Sequence, residues 1–574
     1  MNNINIEEKI EEFRSTFLGN DWVWRKGQIE VIKEVIETYI NKTHNTVILD
    51  CPTGSGKSIC AMCISWIFNQ LKQQTYILTS EISLQKQYEK DFKKFNLAWG
   101  MVYGIDNYLC IDNSEKNSLG TCRIRNKPAK SMHCYKECPY FSARDFASVS
   151  PTSLLNYSYW LIQMNYVKDR MPDAPFQDRL VVICDEAHKL TDIVQNHFSP
   201  RIDDKTIHKL ERLTDFFNTY KIRDHSLDFQ ELKINIKELY RVDNQDALFG
   251  LLSSIKQHLE NYRSSWETLK DKVKKEYAHT NPPKEWKEAL RLCDWLKDTH
   301  CKVDDYVNII ASTSTRNIVK NPGKDQELVF NCLEESYMMH KYFHKHREFT
   351  VLMSATFGDP SEYLKGLALK NAKYLKMDNS FDFERSPIYY YNKHRMSYKE
   401  IERNLPWLYD KVDEILDKHK DENGIIHSVS YDLCMKIYNN VSNKNKKRIL
   451  VYSGTEEKQQ VLDILKKNKN KVVVGPSLLE GIDLFDNICR FIIFAKVPYL
   501  SLGDKFVKAK MNINHGWYQW KSVLSLIQGF GRGIRHKEDY CCGYILDACF
   551  SDLFSSSRKS FSSEFINRIK TIPE

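Results

Sequence analysis

Short apolar runs alternate with longer mixed segments along most of this 574-residue chain. Thr46–Leu49 is β-branched and apolar, which predicts a strand. Ile59–Gln70 is rich in apolar residues on every side and predicts a buried helix. Arg179–Cys184 is an apolar run after one charge, the pattern of a strand buried in a parallel sheet. Gly424–Val429, Arg448–Tyr452, Lys471–Val474 and Arg490–Phe494 repeat the strand pattern, with helical segments between them. The alternation predicts two parallel α/β domains, the second beginning near Pro387. Between them the period changes. Leu248, Leu251, Leu252, Ile255, Leu259, Tyr262, Trp266, Leu269 and Val273 recur at three and four, which predicts one long amphipathic helix. Lys284–Ile310 predicts another. No catalytic constellation lies on that stripe, so it reads as helix–helix core.

Length and charge narrow the class only a little. A chain of this size exceeds one core and should divide into roughly two to four domains. Hydrophobic content of 42% is ample for globular folding. The first residues, Met1 to Phe13, are acidic and polar, with no apolar stretch of the kind that directs export. The nearest approach to a membrane span, Phe491–Leu500, is too short and contains Lys496 and Pro498. A soluble intracellular protein is expected, in a bacterial cytoplasm or nucleoid or, for a viral source, a host cell. The 16 cysteines fit a reducing compartment, since Cys51 and Cys184 fall where a structural disulfide is awkward. The 84 basic and 75 acidic residues give a net charge of +9, which permits a nucleic-acid partner without requiring one.

Three segments carry chemistry. The strand at Thr46–Leu49 leads into Asp50-Cys51-Pro52-Thr53-Gly54-Ser55-Gly56-Lys57-Ser58. Its glycines let backbone N–H groups face phosphates, Lys57 reaches the β- and γ-phosphates of ATP, and Ser58 can hold Mg²⁺. The following helix N-terminus favours the anion. Cys51 stands where the strict pattern has glycine. The second segment, Asp185-Glu186-Ala187-His188, follows the strand ending at Cys184. Asp185 is a second Mg²⁺ ligand, and Glu186 is placed to polarise the attacking water. The rival reading, acidic residues at a helix N-terminus, loses weight behind an apolar strand and downstream of a phosphate loop. The third segment, Ser525–His536, holds Gln528, Arg532 and Arg535. On a helix the two arginines share a face and would neutralise charge on the transferring phosphoryl group. A basic helix end with glycine breaks is the alternative there.

Four cysteines lie between the first two segments: Cys110, Cys122, Cys134 and Cys138. They are separated by eleven, eleven and three residues. A zinc ribbon usually shows two tight pairs, and only Cys134 and Cys138 are close, but the spacing alone leaves both zinc and a [4Fe–4S] cluster open. His133 is a possible rival ligand. Arg123, Arg125, Lys127, Lys130, Lys136 and Arg144 surround the cysteines, with Tyr135, Tyr140 and Phe141 among them. That mixture suits single-stranded DNA, and equally suits a solvated basic face over core aromatics.

Together these segments resemble superfamily 2 helicases, and specifically the XPD/DinG family of iron–sulfur helicases. Arg25 and Gln28 in Trp-Arg-Lys-Gly-Gln resemble the family's adenine-side motif. Thr79 to Gln87 resembles its first DNA-contact motif, and Leu155-Asn156-Tyr157 the segment before the DEAH strand. Ser354-Ala355-Thr356 resembles its third motif. Gly475 to Leu484, with Gly481 and Asp483, resembles the fifth, and Gln528 to His536 the sixth. Asp547-Ala548-Cys549-Phe550 departs from the family's Asp-x-Arg-Phe, which puts an arginine contact there in doubt.

The resemblance implies an α/β fold of two RecA-like parallel-sheet motor domains. A cluster insertion and a mainly helical arch insertion would both lie in the first. The expected limits are 1–104, 146–200 and 346–380 for motor 1, 105–145 for the cluster insertion, 201–345 for the arch and 381–574 for motor 2. It also implies a [4Fe–4S] cluster on the four cysteines, ATP with Mg²⁺ between the motors, 5′-to-3′ travel on single-stranded DNA and unwinding of forked or tailed duplexes. A monomer is expected. Two other readings stay in view: a nucleic-acid-binding module or translocase with little unwinding, and a nuclease, for which no acidic metal cluster stands out.

Overall fold

The computed structural model describes residues 5–573 apart from 53, 125–128, 169–170, 172, 223–228, 243, 278–279, 281, 313–317, 323–326, 378–382, 453, 477–483, 485 and 535–537. Chain order begins with β1 (Thr46–Asp50), β2 (Thr75–Thr79), β3 (Gly100–Met101), β4 (Thr152–Asn156) and β5 (Val181–Cys184). Three strands of the long insertion follow: β6 (Arg201–Ile202), β7 (Ile318–Pro322) and β8 (Leu328–Cys332). The chain then returns as β9 (Phe349–Ser354) and β10 (Lys373–Lys376). The second half adds β11 (Ile388–Tyr391), β12 (Gly424–His427), β13 (Ile449–Val451), β14 (Val472–Gly475), β15 (Phe491–Phe494), β16 (Cys542–Ile545) and β17 (Ile569–Ile572).

The strands form two seven-stranded parallel sheets, ordered β10-β1-β9-β5-β2-β4-β3 and β13-β14-β12-β15-β16-β11-β17. Parallel strands need crossovers, and the helices that supply them cover both faces, so the central strands are apolar throughout. β1, β2, β5 and β9 are buried at every residue. The helix Lys57–Gln70 is buried from Ile59 through Phe68, which explains why its sequence is apolar all round rather than striped. Register aligns the strand tips: Asp50 lies opposite Ser354, and Cys184 opposite Leu352 and Leu78. The loops that follow these strands therefore open at one edge of the sheet, where parallel α/β folds bind ligands.

The long insertion departs from expectation in two places. The stripe from Leu248 to Val273 is carried by two helices, Gln245–Asn261 and Arg263–Glu276. They part at Tyr262, which is buried with its hydroxyl 2.8 Å from Thr214 Oγ1. The backbone at Tyr262 stays right-handed (φ −75°, ψ −16°), with its N–H turned to Leu259 O three residues back, so the apolar period runs through the junction unbroken. The antiparallel sheet β6-β8-β7 was also not foreseen. The helix Lys284–Ser312 matches its predicted range closely. No helix among the described residues is long and apolar enough to cross a membrane.

Candidate nucleotide cleft and cysteine pocket

The phosphate loop joins β1 to the helix Lys57–Gln70. Gly54 and Gly56 hold φ of +79° and +83°, values that favour glycine. Gly56 has a second reason to lack a side chain, because a Cβ there would stand 2.4 Å from Gln28 Nε2. Gln28 is buried; its Nε2 donates to Ser55 O at 2.9 Å, and its Oε1 accepts from Arg25 N at 2.8 Å. Thus Arg25 and Gln28 fasten the loop from behind. Pro52 lies at the loop's entrance, and Thr53 is outside the described residues.

Lys57 and the Asp185–Glu186 pair meet at the strand edge. Lys57 Nζ lies 3.1 Å from Glu186 Oε1 and 4.0 Å from Asp185 Oδ1. Burial works against the Lys57 ammonium, but Glu186 and Asp185 outweigh it and hold its pKa above the ordinary value. Burial also pushes on Glu186; there Lys57, His188 and Arg532 prevail and hold the carboxyl well below the carboxylate range. Asp185 goes the other way, raised by burial despite Lys57. Tyr88 Oη donates to Asp185 Oδ2 at 2.9 Å and also meets the Ser58 side chain, so the two candidate Mg²⁺ ligands share one partner. Nothing in the sequence marked Tyr88 for this place. Glu186 has φ +52°, a left-handed conformation that is uncommon outside glycine and costs backbone energy.

The cleft is closed from the second sheet. Gln528, on the helix His515–Phe530, donates from Nε2 to His188 Nε2 at 2.8 Å. His188 Nδ1 in turn lies 2.8 Å from Ser354 Oγ, which donates to Thr356 O. Burial pushes the His188 pKa down to about 3, so the imidazole is neutral and can accept on one nitrogen while donating on the other. The same helix docks through Trp520 Nε1, which donates to Phe357 O at 2.7 Å, and Lys521, 2.6 Å from Asp192.

One expectation fails here. Arg532 is not on a helix, because the helix ends at Phe530 within a run of alternating glycines at 529, 531 and 533. Its charge still reaches Glu186, Glu81 and His427. Arg535, Gly481 and Asp483 lie outside the described residues. Asp547 has its own use: its carboxylate accepts from the backbone N–H groups of Met396, Val497 and Cys549 at 2.8–2.9 Å.

Cys110, Cys122, Cys134 and Cys138 line one small pocket. Cys110, Cys122 and Cys138 are buried and Cys134 is half-buried. Asn117 Nδ2 donates to Cys138 Sγ at 3.3 Å, and Cys138 is the residue that precedes the first turn of the helix Pro139–Val149. Among the described residues no three His, Cys, Asp or Glu side chains gather closely enough to hold a single metal ion. His133 points to Asp112 at 3.6 Å. The aromatics beside the cysteines are packing: Tyr140 and Phe141 are buried, and Arg144 stacks on Phe141 at 4.6 Å while pairing with Asp145. Arg123, Lys130 and Lys136 remain exposed, and Arg125 and Lys127 are outside the described residues.

Comparison with known proteins fits this geometry. The helicase C-terminal domain family matches residues 413–568, and the family described as type III restriction enzyme, res subunit, matches residues 21–222. The ATP-dependent DNA helicase YoaA of Haemophilus influenzae is 22% identical, covering 90% of this chain and 89% of its own. The ATP-dependent DNA helicase XPD of Sulfolobus acidocaldarius is 22% identical, covering 92% and 97%. A probable ATP-dependent helicase of Methanocaldococcus jannaschii, MJ0942, is 25% identical, but the match spans 29% of that protein and 30% of this chain. In fold, an XPD helicase structure superposes with a TM-score of 0.63 at 17% identity, covering 95% of this chain and 99% of that one. S. tokodaii Xpd4 gives 0.60 at 15% identity, with the same coverage. The chain is similar to XPD-type helicases along nearly its whole length.

Proposed function

We propose that this XPD-type chain is an ATP-dependent DNA helicase that moves on single-stranded DNA and separates duplex strands. The observation that carries the reading is the convergence of Lys57, Asp185 and Glu186 at one sheet edge, closed from the other motor by Gln528 on His188. Lys57 would leave Glu186 for the β- and γ-phosphates. Ser58 and Asp185 would hold Mg²⁺, and Glu186, kept ionised, would polarise the attacking water. Arg532, and Arg535 with it, would neutralise charge on the transferring phosphoryl group. Hydrolysis would loosen the contact between motors, and the cycle would ratchet a strand along them. Arg25 and Gln28 would act by holding the loop, with Pro52 to Gly56 around the phosphates, and Asp483 would be a further nucleotide contact by the resemblance.

The four cysteines would hold a [4Fe–4S] cluster. Their side chains line one pocket, and a cluster of this kind takes four thiolates; the choice of iron over zinc rests on the resemblance. When bound, the cluster supplies four iron–thiolate cross-links to a segment with little core of its own. The cysteine residues then fix the insertion as a rigid wedge at the duplex junction, and the exposed Arg123, Lys130 and Lys136 meet phosphates. Travel in the 5′-to-3′ direction rests on the resemblance.

The test is anaerobic purification, iron and zinc analysis, and strand displacement on 5′- and 3′-tailed duplexes with ATP. A brown, iron-containing protein that unwinds the 5′-tailed duplex is expected. A colourless zinc protein that unwinds neither substrate would sink the proposal.

A further inference from the structure

One buried tyrosine reaches the acid that follows β5. Tyr88 lies on the helix Ile82–Lys94 and is closed off from solvent. The turn that carries it is pinned to the sheet. Gln85 Nε2 donates to Val102 O at 2.9 Å and to Leu154 O at 3.3 Å. Phe92 packs edge-on against the Tyr88 ring, with centroids 6.1 Å apart. Backbone and ring are both held, so the hydroxyl has a fixed place.

Asp185 is held at both carboxylate oxygens and at its carbonyl. Oδ1 accepts from Glu186 N at 2.8 Å, and Oδ2 accepts from Tyr88 Oη at 2.9 Å. The carbonyl accepts from Tyr157 Oη, also at 2.9 Å. A phenol carries a single proton. Since that proton goes to Asp185, Tyr88 Oη can only accept from the Ser58 hydroxyl that it meets. Ser58 then turns its O–H into the tyrosine and keeps oxygen lone pairs for another partner. Asp185 also keeps acceptor capacity on its oxygens, because a carboxylate offers more lone pairs than these bonds use. A hydroxyl and a carboxylate are oxygen ligands of the kind that suits Mg²⁺, which takes few protein groups beside substrate phosphates and water.

We infer that Tyr88 is a positioning residue for the Mg²⁺ of the nucleotide site, orienting Ser58 and Asp185 together through one hydroxyl. It acts through these two ligands. Partners that stand behind metal ligands set their orientation, and losing one typically costs about 10–100-fold in metal affinity or activity. The inference rests on the ATP-site reading proposed above and adds to it the group that aligns the cation's ligands.

The experiment uses the full chain. Mn²⁺ binding is measured by electron paramagnetic resonance with and without a non-hydrolysable ATP analogue. Binding of a fluorescent form of the analogue is measured in EDTA. Tyr88→Phe keeps the ring and removes the bridge. It should weaken analogue-dependent Mn²⁺ binding about tenfold and leave metal-free analogue binding within about twofold. Tyr76→Phe is the control, because it removes another buried hydroxyl of the same sheet, one that donates to Gln177 O. Its Mn²⁺ affinity should stay within about twofold of the unaltered protein. 4-Aminophenylalanine at position 88 restores a donor in the same place and should recover at least about threefold of the loss. Should Tyr88→Phe not fold, 4-fluorophenylalanine at position 88 takes its place, since it fills the hydroxyl's space and cannot donate. Unchanged Mn²⁺ binding without the Tyr88 hydroxyl overturns the inference and leaves the ATP site standing. Equal losses in Tyr88→Phe and Tyr76→Phe overturn it too, since a general loosening of the sheet would then be the cause. If the unaltered protein takes up no Mn²⁺ with the analogue, the ATP-site reading fails and this inference falls with it.

Discussion

The nucleotide cleft and the cysteine pocket gather their residues by opposite means. In the cleft, rigid strands do the work: β1, β5 and β9 end in register, and Lys57, Glu186, His188 and Ser354 fall within hydrogen-bonding reach of one another. In the cysteine insertion, loops and short turns bring four sulfurs into one hollow around a few aromatic side chains. A sheet edge is stable without its ligand, because its core lies beneath it. Among the described residues, the buried side chains by which the pocket joins the core of the first sheet are Cys122, Cys138, Tyr140 and Phe141, and its loops lean on whatever joins the thiols. The difference teaches that one region should tolerate loss of its ligand and the other should not.

The largest effect should come from the cleft itself. Glu186→Gln keeps the shape and removes the charge that Lys57 and Arg532 hold in place. ATP turnover should fall by on the order of a hundredfold or more, with nucleotide binding retained, since the group acts in the chemical step. Steady-state hydrolysis beside equilibrium binding of labelled ATP separates the two. Equal loss of binding and turnover would mean Glu186 builds the cleft instead of activating water.

Next comes Cys138→Ser, which removes a buried sulfur from the pocket and its bond from Asn117. Strand displacement should drop by about tenfold or more, while DNA-independent ATP hydrolysis stays within about twofold, because bound metal contributes folding energy only to the segment it ties. Limited proteolysis should show new cuts between 105 and 145 and none in the sheets. A parallel fall in hydrolysis would erase the contrast between the regions.

How much of this was legible follows the same division. The strands and the helix Lys57–Gln70 were readable because burial on both faces writes continuous apolar runs. The contacts at Lys57 and Glu186 were legible as motifs, since phosphate chemistry restricts both residue type and position. Tyr88 on Asp185 was not, because a tyrosine on an ordinary helix carries no mark of what the fold will bring to it. Neither was the break at Tyr262, where the apolar period runs straight through. Arg532 was misplaced for a different reason. Its three-residue spacing from Arg535 matches a helix, but the helix ends at Phe530, among the glycines at 529, 531 and 533 and ahead of both arginines.

The contact between motors should show a smaller effect. Gln528→Ala removes one neutral hydrogen bond to His188, worth about 1 kcal/mol. ATP turnover should fall roughly fivefold with KM nearly unchanged, because the bond joins the domains and does not touch bound substrate. His188→Ala should cost less in the Gln528→Ala background than it does alone, because only its contacts with Ser354 and Glu186 remain to be lost; equal losses in both backgrounds would show that the two residues act separately.

The last effect leaves turnover alone and falls on stability beneath the cleft. Asp50 ends β1, is buried, and accepts from Tyr374 Oη at 2.8 Å, yet burial still raises its pKa to about 6. An acid whose pKa is raised by folding binds its proton more tightly in the folded state. Stability is therefore gained as the pH falls from about 7 toward 4 and lost as it rises through that window. At neutral pH the ionised carboxylate costs roughly 2–3 kcal/mol. Asp50→Asn should raise the melting temperature of the first motor by a few degrees at pH 7.5 and by almost nothing at pH 4.5. The comparison is cleanest in the Cys138→Ser background, where the insertion no longer shares the transition. A gain that is the same at both pH values would mean the cost lies in packing around β1 and not in the buried charge.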